Sequence, residues 1–272
     1  MTRPLHDALL AARERGAGTL EASVDLGRTR TSLGVGPDGW RCGPARYPYL
    51  ERCRERTVYH WTGAGFEPVA RFGTALIKLV STEWGPPTFE IDGIKMLPTA
   101  QVSPLEDARQ KVAWTQPRGA TVLDTCGGLG YFAACCLEQG ASRVLSFERN
   151  ADVLWLRDVN PWSPRADGRL ELVHGDVTAA VRALATAAFD VVLHDPPRFG
   201  IAGELYSAGF YAELARVLRP GGRLFHYTGA PNRLTSGRDV PQEVARRLQR
   251  EGFKTERSGD GLRALRKFPK NV

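Results

Sequence analysis

Short apolar runs with a period of two dominate the first third of the chain. Leu20, Ala22 and Val24 alternate with polar side chains, which is typical of a strand with one buried face. Turn signals, one of them at residues 36–39, separate this run from others of the same kind. The pattern predicts a short helix over residues 4–15 and a small, mostly antiparallel β unit over residues 19–98.

Two local predictions belong to this β unit. Residues 47–56 indicate a short helix, and the glycine-containing segment 62–65 indicates a hairpin turn between two flanking strands. The aromatic side chains of the unit are open to two interpretations, a substrate-binding surface or the core of a small domain, and the second is the more common. They are Trp40, Tyr47, Tyr49, Tyr59 and Trp61.

Beyond residue 98 the hydrophobic pattern changes, and each apolar run of strand length is followed by a segment of helix-forming residues. Such strand–helix repeats force a parallel sheet with helices on its faces. An amphipathic helix over 240–251 and a terminal hairpin over 253–268 close the chain. The predicted strands cover residues 121–123, 143–147, 170–173, 189–193 and 223–227, and the helices between them cover 131–139, 151–159, 179–187 and 207–218.

These elements define the expected architecture. We expect an α/β protein with a doubly wound, mostly parallel seven-stranded sheet, an antiparallel terminal strand and a small β-rich N-terminal domain. The expected domains are residues 1–98 and residues 99–272. The helix over 151–159 is expected to bury Val153, Leu154 and Trp155 on its apolar face.

Acidic residues follow four of the predicted strands. Parallel strands carry their carboxyl ends to the same edge of a sheet, and ligands of such sheets bind outside that edge. All four side chains should therefore line one crevice, with long loops at 200–206 and 229–239 beside it. The four residues are Asp124, Glu148, Asp176 and Asp195.

The turn after the first of these strands has the most informative spacing. Gly128, Gly130 and Ala133 satisfy the G-x-G-x-x-G/A fingerprint of nucleotide-binding turns. Glu148 stands 18 residues after Gly130, where an acidic residue can bind ribose hydroxyls. Asp124 precedes the turn, and its charge disfavours a pyrophosphate but suits a ligand that carries an ammonium and a sulfonium group.

At this turn the sequence resembles the class I S-adenosylmethionine (SAM)-dependent methyltransferases, whose first motif is an acidic residue followed by alternating glycines. Cys126 stands where that family often has glycine. The series DTCGGLGY, NPWS, HDPPRF and LRPGGRLFHYTG also resembles a largely uncharacterised group of predicted methyltransferases found in archaea. The resemblance implies SAM as the cofactor. It implies as cofactor-binding residues Asp124, Cys126, Gly128, Gly130, Glu148, Arg149, Asp176, Val177 and Asp195.

A second motif, Asp195-Pro196-Pro197-Arg198, follows the fourth strand. It resembles the [Asp/Asn]-Pro-Pro-[aromatic] signature of methyltransferases that modify planar nitrogens, in which the side-chain oxygen and the first proline carbonyl hold an amino group. Arg198 replaces the aromatic residue, and arginine can stack on a planar group or bind a carboxylate or phosphate. The resemblance implies Asp195, Pro196 and Arg198 as catalytic residues. The acceptor-side candidates are Phe199, Glu204, Tyr206, His226 and Tyr227.

The segment before the first strand has a good helix start, with Ser103 as the N-cap and Pro104 at the first helical position. In the methyltransferases that the chain resembles, this segment often folds over the cofactor. That likeness makes Thr99, Gln101 and Asp107 candidate cofactor contacts. An ordinary linker helix is an equally good interpretation.

Composition and charge bear on the partners, metal sites and location that the sequence allows. The net charge is +7, and residues 238–272 contribute ten Lys/Arg against five Asp/Glu, which suits an anionic partner or a solvated basic face. Five cysteines without a C-x-x-C pair indicate neither a disulfide framework nor a zinc site, and no metal site is expected. No apolar run is long enough to span a membrane, so we expect a cytoplasmic protein. A homodimer is compatible with the sequence.

The function indicated is methyl transfer from SAM to a nitrogen of RNA or of a small metabolite, positioned by the Asp195-Pro196-Pro197-Arg198 loop. The first competing function is aminopropyl transfer of the spermidine synthase type, from decarboxylated SAM. It requires a second acidic residue close to Asp195, and the Pro-Pro-Arg sequence argues against it. The motifs are also compatible with an NAD-dependent oxidoreductase and with a nucleic-acid-binding module that keeps a vestigial cofactor site.

Overall fold

The computed structural model describes residues 1–198, 200–229 and 239–268. The predicted acceptor-side residue Phe199 and most of the loop predicted at 229–239 lie outside the described residues. The chain forms two compact units, which are Met1–Glu106 with Asp158–Trp162, and Asp107–Arg157 with Ser163–Val272.

Short antiparallel strands build most of the first unit, as the period-two pattern predicted. They form two four-stranded sheets, of order β1-β2-β3-β4 and β10-β9-β8-β7, and the hairpin β5-β6. The elements are α1 (Arg3–Glu14), β1 (Thr19–Ala22), β2 (Thr31–Val35), β3 (Trp40–Cys42), β4 (Ala45–Tyr47), β5 (Tyr59–Trp61), β6 (Phe66–Pro68), β7 (Ala70–Phe72), β8 (Leu76–Val80), β9 (Thr88–Ile91) and β10 (Ile94–Lys95).

Aromatic side chains form part of the core of this unit. Trp40 is buried with the leucines of α1 and β2, and its ring stacks on Tyr47 at 4.5 Å between centroids. The helix predicted over 47–56 is wrong, because β4 ends at Tyr47 and no helix follows before β5. Pro48 disfavours helical backbone at the residue before it, and the cross-strand partner Trp40 holds Tyr47 in the sheet.

The second unit contains the seven-stranded sheet. The boundary between the units falls within α2 (Pro104–Thr115). The elements that follow are β11 (Thr121–Asp124), α3 (Tyr131–Glu138), β12 (Arg143–Glu148), α4 (Ala151–Val159), β13 (Leu170–His174), α5 (Val177–Ala180), β14 (Phe189–His194), α6 (Ala208–Val217), β15 (Leu218–Tyr227), α7 (Val240–Arg250), β16 (Phe253–Ser258) and β17 (Gly261–Arg266).

The strand order is β13-β12-β11-β14-β15-β17-β16. The strands from β13 to β15 are parallel, and β17 pairs antiparallel with β15. This confirms the predicted doubly wound sheet with an antiparallel terminal pair. The chain leaves β11 towards β12 on one side and returns to β14 on the other, which creates a switch point at the carboxyl end of β11. Ligands of open α/β sheets bind at such points.

Two helix ends show how local sequence sets these elements. The Ser103 hydroxyl accepts a hydrogen bond from the Glu106 N–H at 3.0 Å, which confirms the predicted N-cap. The helix predicted over 179–187 is shorter than expected, since α5 and a following 3₁₀ turn end at Ala183. The guanidinium of Arg216 donates to the carbonyl oxygens of Val181 and Leu184, both at 2.8 Å, and so satisfies them without a longer helix.

No helix in the described ranges has the length and apolarity needed to cross a bilayer.

Candidate cofactor and acceptor site

The glycine turn connects the end of β11 to the start of α3. Gly128 has φ 50° and Gly130 has φ 82°, a left-handed conformation that glycine adopts without steric cost. Gly130 also precedes the first residue of α3 as its N-cap. The Gly127 N–H donates to the Phe147 carbonyl at 2.7 Å, which ties the turn to the neighbouring strand. The turn therefore has the backbone form that the fingerprint predicted.

Asp124 is completely buried at the end of β11. Its Oδ2 accepts a hydrogen bond from the Ser146 hydroxyl at 2.8 Å, whereas Oδ1 has no hydrogen-bond partner among the described residues. Burial raises the pKa of Asp124 to about 6, against the opposing effects of Ser146, Arg157 and the Cys126 N–H. A buried carboxylate oxygen without a partner is costly, so this oxygen is available to a cationic ligand.

Two further predicted cofactor residues flank Asp124. Glu148 Oε2 accepts from the Gly128 N–H at 2.9 Å and Oε1 accepts from the Asn150 N–H at 2.8 Å. Burial raises the pKa of Glu148, and these backbone donors oppose the rise. Burial also raises the pKa of Cys126 well above its ordinary value, so its side chain is a neutral thiol within the turn.

Asp176 lies at the far side of the strand ends and caps α5, where its Oδ1 accepts from the Thr178 N–H at 2.8 Å. The Arg149 guanidinium lies 3.7 Å from Asp176 Oδ2 and 3.4 Å from Glu204 Oε1. These three partly exposed side chains thus form one ion-pair group, which joins two predicted cofactor residues to an acceptor-side candidate. Val177, the next predicted residue, is buried at the start of α5.

Asp195 follows β14 and belongs to a group of charged side chains. The Lys111 ammonium, 8% exposed, donates to Asp107 Oδ2 at 2.7 Å and to Asp260 Oδ2 at 3.2 Å. Burial opposes the charge of Lys111, but the carboxylates of Asp195, Asp107 and Asp260 outweigh burial and raise its pKa. We call these four residues, Lys111, Asp107, Asp195 and Asp260, the acidic group, since three carboxylates surround one ammonium.

The acidic group changes the acid–base properties of Asp195. Burial raises the pKa of Asp195 to about 7, the Lys111 ammonium lowers it, and the other carboxylates raise it further. The Lys111 nitrogen lies 4.8 Å from the centre of the Tyr227 ring, within the range of a cation–π contact. Burial and the same carboxylates raise the pKa of Tyr227 to about 12, so its phenol stays protonated.

Two acceptor-side candidates lie in the core, and one of them bonds to the Asp195-Pro196-Pro197-Arg198 loop, which we call the acceptor loop. Tyr206 is 1% exposed, and its hydroxyl donates to the Pro197 carbonyl at 3.0 Å. His226 is fully buried and makes hydrogen bonds with the Tyr211 hydroxyl at 2.8 Å and the Tyr227 carbonyl at 2.7 Å. Contact with an acceptor would require both side chains to become exposed, so their placement favours a supporting role.

The acceptor loop goes from half-buried at Asp195 to exposed at its end. Pro196 is buried, whereas Pro197 and Arg198 are exposed. Behind the loop, buried His194 lies within hydrogen-bond distance of the Thr125 hydroxyl, at 2.7 Å, and of the Leu205 carbonyl, at 3.0 Å. His194 thus connects the start of the glycine turn to the segment that follows the acceptor loop.

Sequence reasoning did not single out four residues that the structure places here: Arg157, Lys111, Asp260 and His194. Arg157 had a local signal, because it lies four residues after Val153 on the inner face of α4. That buried face consists of Val153, Leu156 and Arg157 instead of Val153, Leu154 and Trp155. Within the described ranges, no group of three His, Cys, Asp or Glu side chains is arranged to hold a metal ion.

Segments of this chain are similar to known proteins. Residues 105–204 match the family model of the FtsJ-like methyltransferases. An uncharacterised protein of Methanocaldococcus jannaschii is 46% identical over 178 residues, which are 65% of this chain and 61% of that protein. A polyamine aminopropyltransferase of Mycobacterium tuberculosis is 36% identical over 121 residues, which are 41% of this chain and 23% of that protein. The spermidine synthase structure from Thermotoga maritima has a TM-score of 0.55 at 17% identity, over 77% of this chain and 72% of that chain.

These matches confirm the resemblance to SAM-dependent methyltransferases, the likeness to an uncharacterised archaeal protein and the Rossmann-like fold. The match to the FtsJ-like methyltransferase model implies SAM as the cofactor. The chain spans less than two thirds of the length of these two curated relatives. The site fits a cationic cofactor, because the open glycine turn adjoins a buried Asp124 oxygen that has no partner among the described residues.

Proposed function

We propose that the chain transfers a methyl group from SAM to a nitrogen atom of an acceptor that binds at the Asp195-Pro196-Pro197-Arg198 loop. The proposal rests on the pairing of two unlike carboxylates at neighbouring strand ends. Asp124 is buried beside the glycine turn, and Asp195 has a pKa of about 7. One carboxylate suits a cationic cofactor, and the other suits a proton-bearing nitrogen.

The protein contributes positioning and one proton acceptor. When bound, SAM supplies an electrophilic methyl carbon on a sulfonium, held by Asp124, Glu148 and the backbone of the turn. Asp195 and the Pro196 carbonyl would orient the acceptor nitrogen, whose lone pair would bond to the methyl carbon as the sulfur–carbon bond breaks and leaves its electron pair on the sulfur. Near neutral pH a carboxylate of pKa about 7 is well matched to receive the proton that this nitrogen loses.

The charges around Asp195 favour one kind of acceptor. Asp107 and Asp260 would repel the phosphates of RNA, and the ammonium that the described residues place against them is that of Lys111. A neutral or cationic nitrogen of a small metabolite is therefore favoured over an RNA base. Exposed Arg198 is placed to orient a planar or anionic part of that metabolite.

Aminopropyl transfer is the second candidate, and one observation favours it. The additional acidic residues that this reaction requires near Asp195 are present as Asp107 and Asp260. The similarity to a polyamine aminopropyltransferase adds support. Against it, the Lys111 ammonium already pairs with both carboxylates, and the Pro-Pro-Arg sequence remains unlike a polyamine site.

Calorimetric titration of the purified chain with SAM and with decarboxylated SAM separates the two candidates. Methyl transfer predicts tighter binding of SAM, and aminopropyl transfer predicts the reverse. Turnover is then followed with methyl-labelled SAM and three acceptor preparations: total RNA, a di- and triamine mixture, and a set of planar amines. Asp195→Ala should abolish transfer and leave SAM affinity within about twofold, whereas Asp190→Ala, near the start of the strand that Asp195 follows, should leave transfer intact. Equal loss of transfer and SAM affinity in Asp195→Ala would contradict the assigned role.

A further inference from the structure

A buried arginine lies against the cofactor turn, and the proposed reaction does not use it. Arg157 is 2% exposed and belongs to the inner face of α4. Burial of a guanidinium is costly unless charges and hydrogen bonds around it compensate. A buried arginine at this place therefore calls for a specific partner of opposite charge.

The turn is shaped around this guanidinium. A Cβ atom on Gly130 would lie 2.6 Å from Arg157 Cζ and 2.8 Å from its Nε and Nη2, and a Cβ on Gly127 would lie 3.1 Å from its Nη1. Real Cβ atoms do not approach other atoms within 3.0 Å. Gly130 thus makes room for the arginine, beyond any need of the ligand for close approach, whereas the first atom that a Cβ on Gly127 would meet is the Ser146 hydroxyl.

The same guanidinium is electrostatically linked to both cofactor carboxylates. Its Nη1 lies 3.5 Å from the Ser146 hydroxyl, which in turn donates to Asp124 Oδ2. The charge of Arg157 lowers the pKa of Asp124 and of Glu148, each of which burial raises. Glu148 raises the pKa of Asp124, and the Ser146 hydroxyl and the Cys126 N–H lower it. The backbone N–H groups of Gly128, Arg149 and Asn150 lower the pKa of Glu148. The Asp195 carboxylate is also electrostatically coupled to Asp124.

We propose that Arg157 is a positioning residue of the cofactor site, whose guanidinium supports the turn at Gly127 and Gly130 and serves as the counter-charge of Asp124 and Glu148. The inference rests on the proposed function in so far as the ligand is SAM. Arg157 acts through the two carboxylates and the turn, without contact with the acceptor. Loss of its charge makes both carboxylates easier to protonate and so weakens a cationic ligand in a pH-dependent way.

The test compares Arg157→Met, which keeps length without charge, with Arg157→Lys, which keeps charge. SAM affinity is measured by calorimetry from pH 5.5 to 9. In the wild-type chain, affinity should fall below about pH 6, where Asp124 takes up a proton. In Arg157→Met the fall should begin about one pH unit higher, which makes binding roughly threefold weaker near pH 6.5 and roughly eightfold weaker at pH 5.5, with recovery towards pH 9. Arg157→Lys should keep the wild-type midpoint. Affinity lost by the same factor at every pH would mean a purely structural role and would overturn the proposal.

A second measurement does not depend on SAM. Ionisation of carboxylates with raised pKa opposes folding, so stability falls as pH rises through their titration. Urea unfolding should show this fall extending to higher pH in Arg157→Met than in Arg157→Lys, and parallel curves would overturn the proposal. If the wild-type chain binds no SAM, the proposed function fails, but the urea-unfolding curves of the two variants still test the counter-charge role of Arg157. If Arg157→Met does not fold, Arg157→Gln repeats the comparison, and wild-type pH behaviour in that variant would refute the counter-charge role.

Discussion

We expect Gly130→Ala to destabilise the second unit and to weaken SAM binding, because this position offers neither the backbone angle nor the space for a methyl group. The left-handed φ of 82° costs an L-residue about 1–2 kcal/mol. Alanine lowers the conformational entropy of the unfolded chain, which offsets about 0.4–1 kcal/mol of this loss of unfolding free energy. Overlap of the new Cβ with Arg157 adds about 1–3 kcal/mol, since the guanidinium is buried and cannot swing into solvent. The net loss of unfolding free energy is about 1–4 kcal/mol.

Gly119→Ala is the matched control. Gly119 has φ 71°, and a Cβ there would meet no atom within 4 Å, so only the backbone term applies. Urea unfolding of both variants at one pH gives the difference, which should be about 1–3 kcal/mol. SAM affinity should fall in Gly130→Ala and stay unchanged in Gly119→Ala. Equal destabilisation of the two variants would refute the steric conflict with Arg157.

Coupling between the two positions gives an independent check. Arg157→Ala removes the side chain that the new methyl group meets. The double variant Gly130→Ala/Arg157→Ala should therefore be more stable than the sum of the single effects predicts, by about 1–2 kcal/mol. Strict additivity of the two changes would show that they do not share a contact.

Three further predictions follow from the buried polar groups. The pKa of Asp124 in the folded chain is about 6, above its ordinary value of 3.8, so protonation of Asp124 stabilises the folded state and this stabilisation is lost as pH rises from about 4 to 6. Asp124→Asn should remove this pH-dependent loss and raise the unfolding free energy at pH 8 by on the order of 3 kcal/mol. The same substitution should abolish SAM binding. Tyr211→Phe removes the donor to His226 Nε2 and should cost about 1–3 kcal/mol in thermal unfolding, with SAM affinity unchanged. Lys111→Met removes the ammonium that lowers the pKa of Asp195, so methyl transfer should need a higher pH than in the wild type; an unmoved acid limb of the pH–rate profile would contradict this.

Local patterns determined much of the fold of this protein. The alternation of apolar strands and helix formers predicted a doubly wound parallel sheet, because each strand–helix–strand crossover has one favourable hand. The glycine spacing predicted a nucleotide-binding turn, and Gly128 and Gly130 adopt left-handed conformations there that other residues avoid. The helix wrongly predicted over 47–56 shows where such reasoning ends, since pairing of Tyr47 with Trp40 across a hairpin overrode the local helical pattern.

Only the tertiary structure decided which charges meet at the site. Lys111 and Asp260 are separated by 149 residues in the chain, and no local spacing predicts their ion pair beside Asp195. Arg157 is separated from the turn by α3, β12 and most of α4, and α4 folds back so that its guanidinium lies against Gly130. Electrostatic properties such as the raised pKa of Asp195 depend on burial and on the summed charge of several distant segments. The local sequence pattern therefore determines which strand ends carry a carboxylate, and long-range packing determines whether each carboxylate is charged.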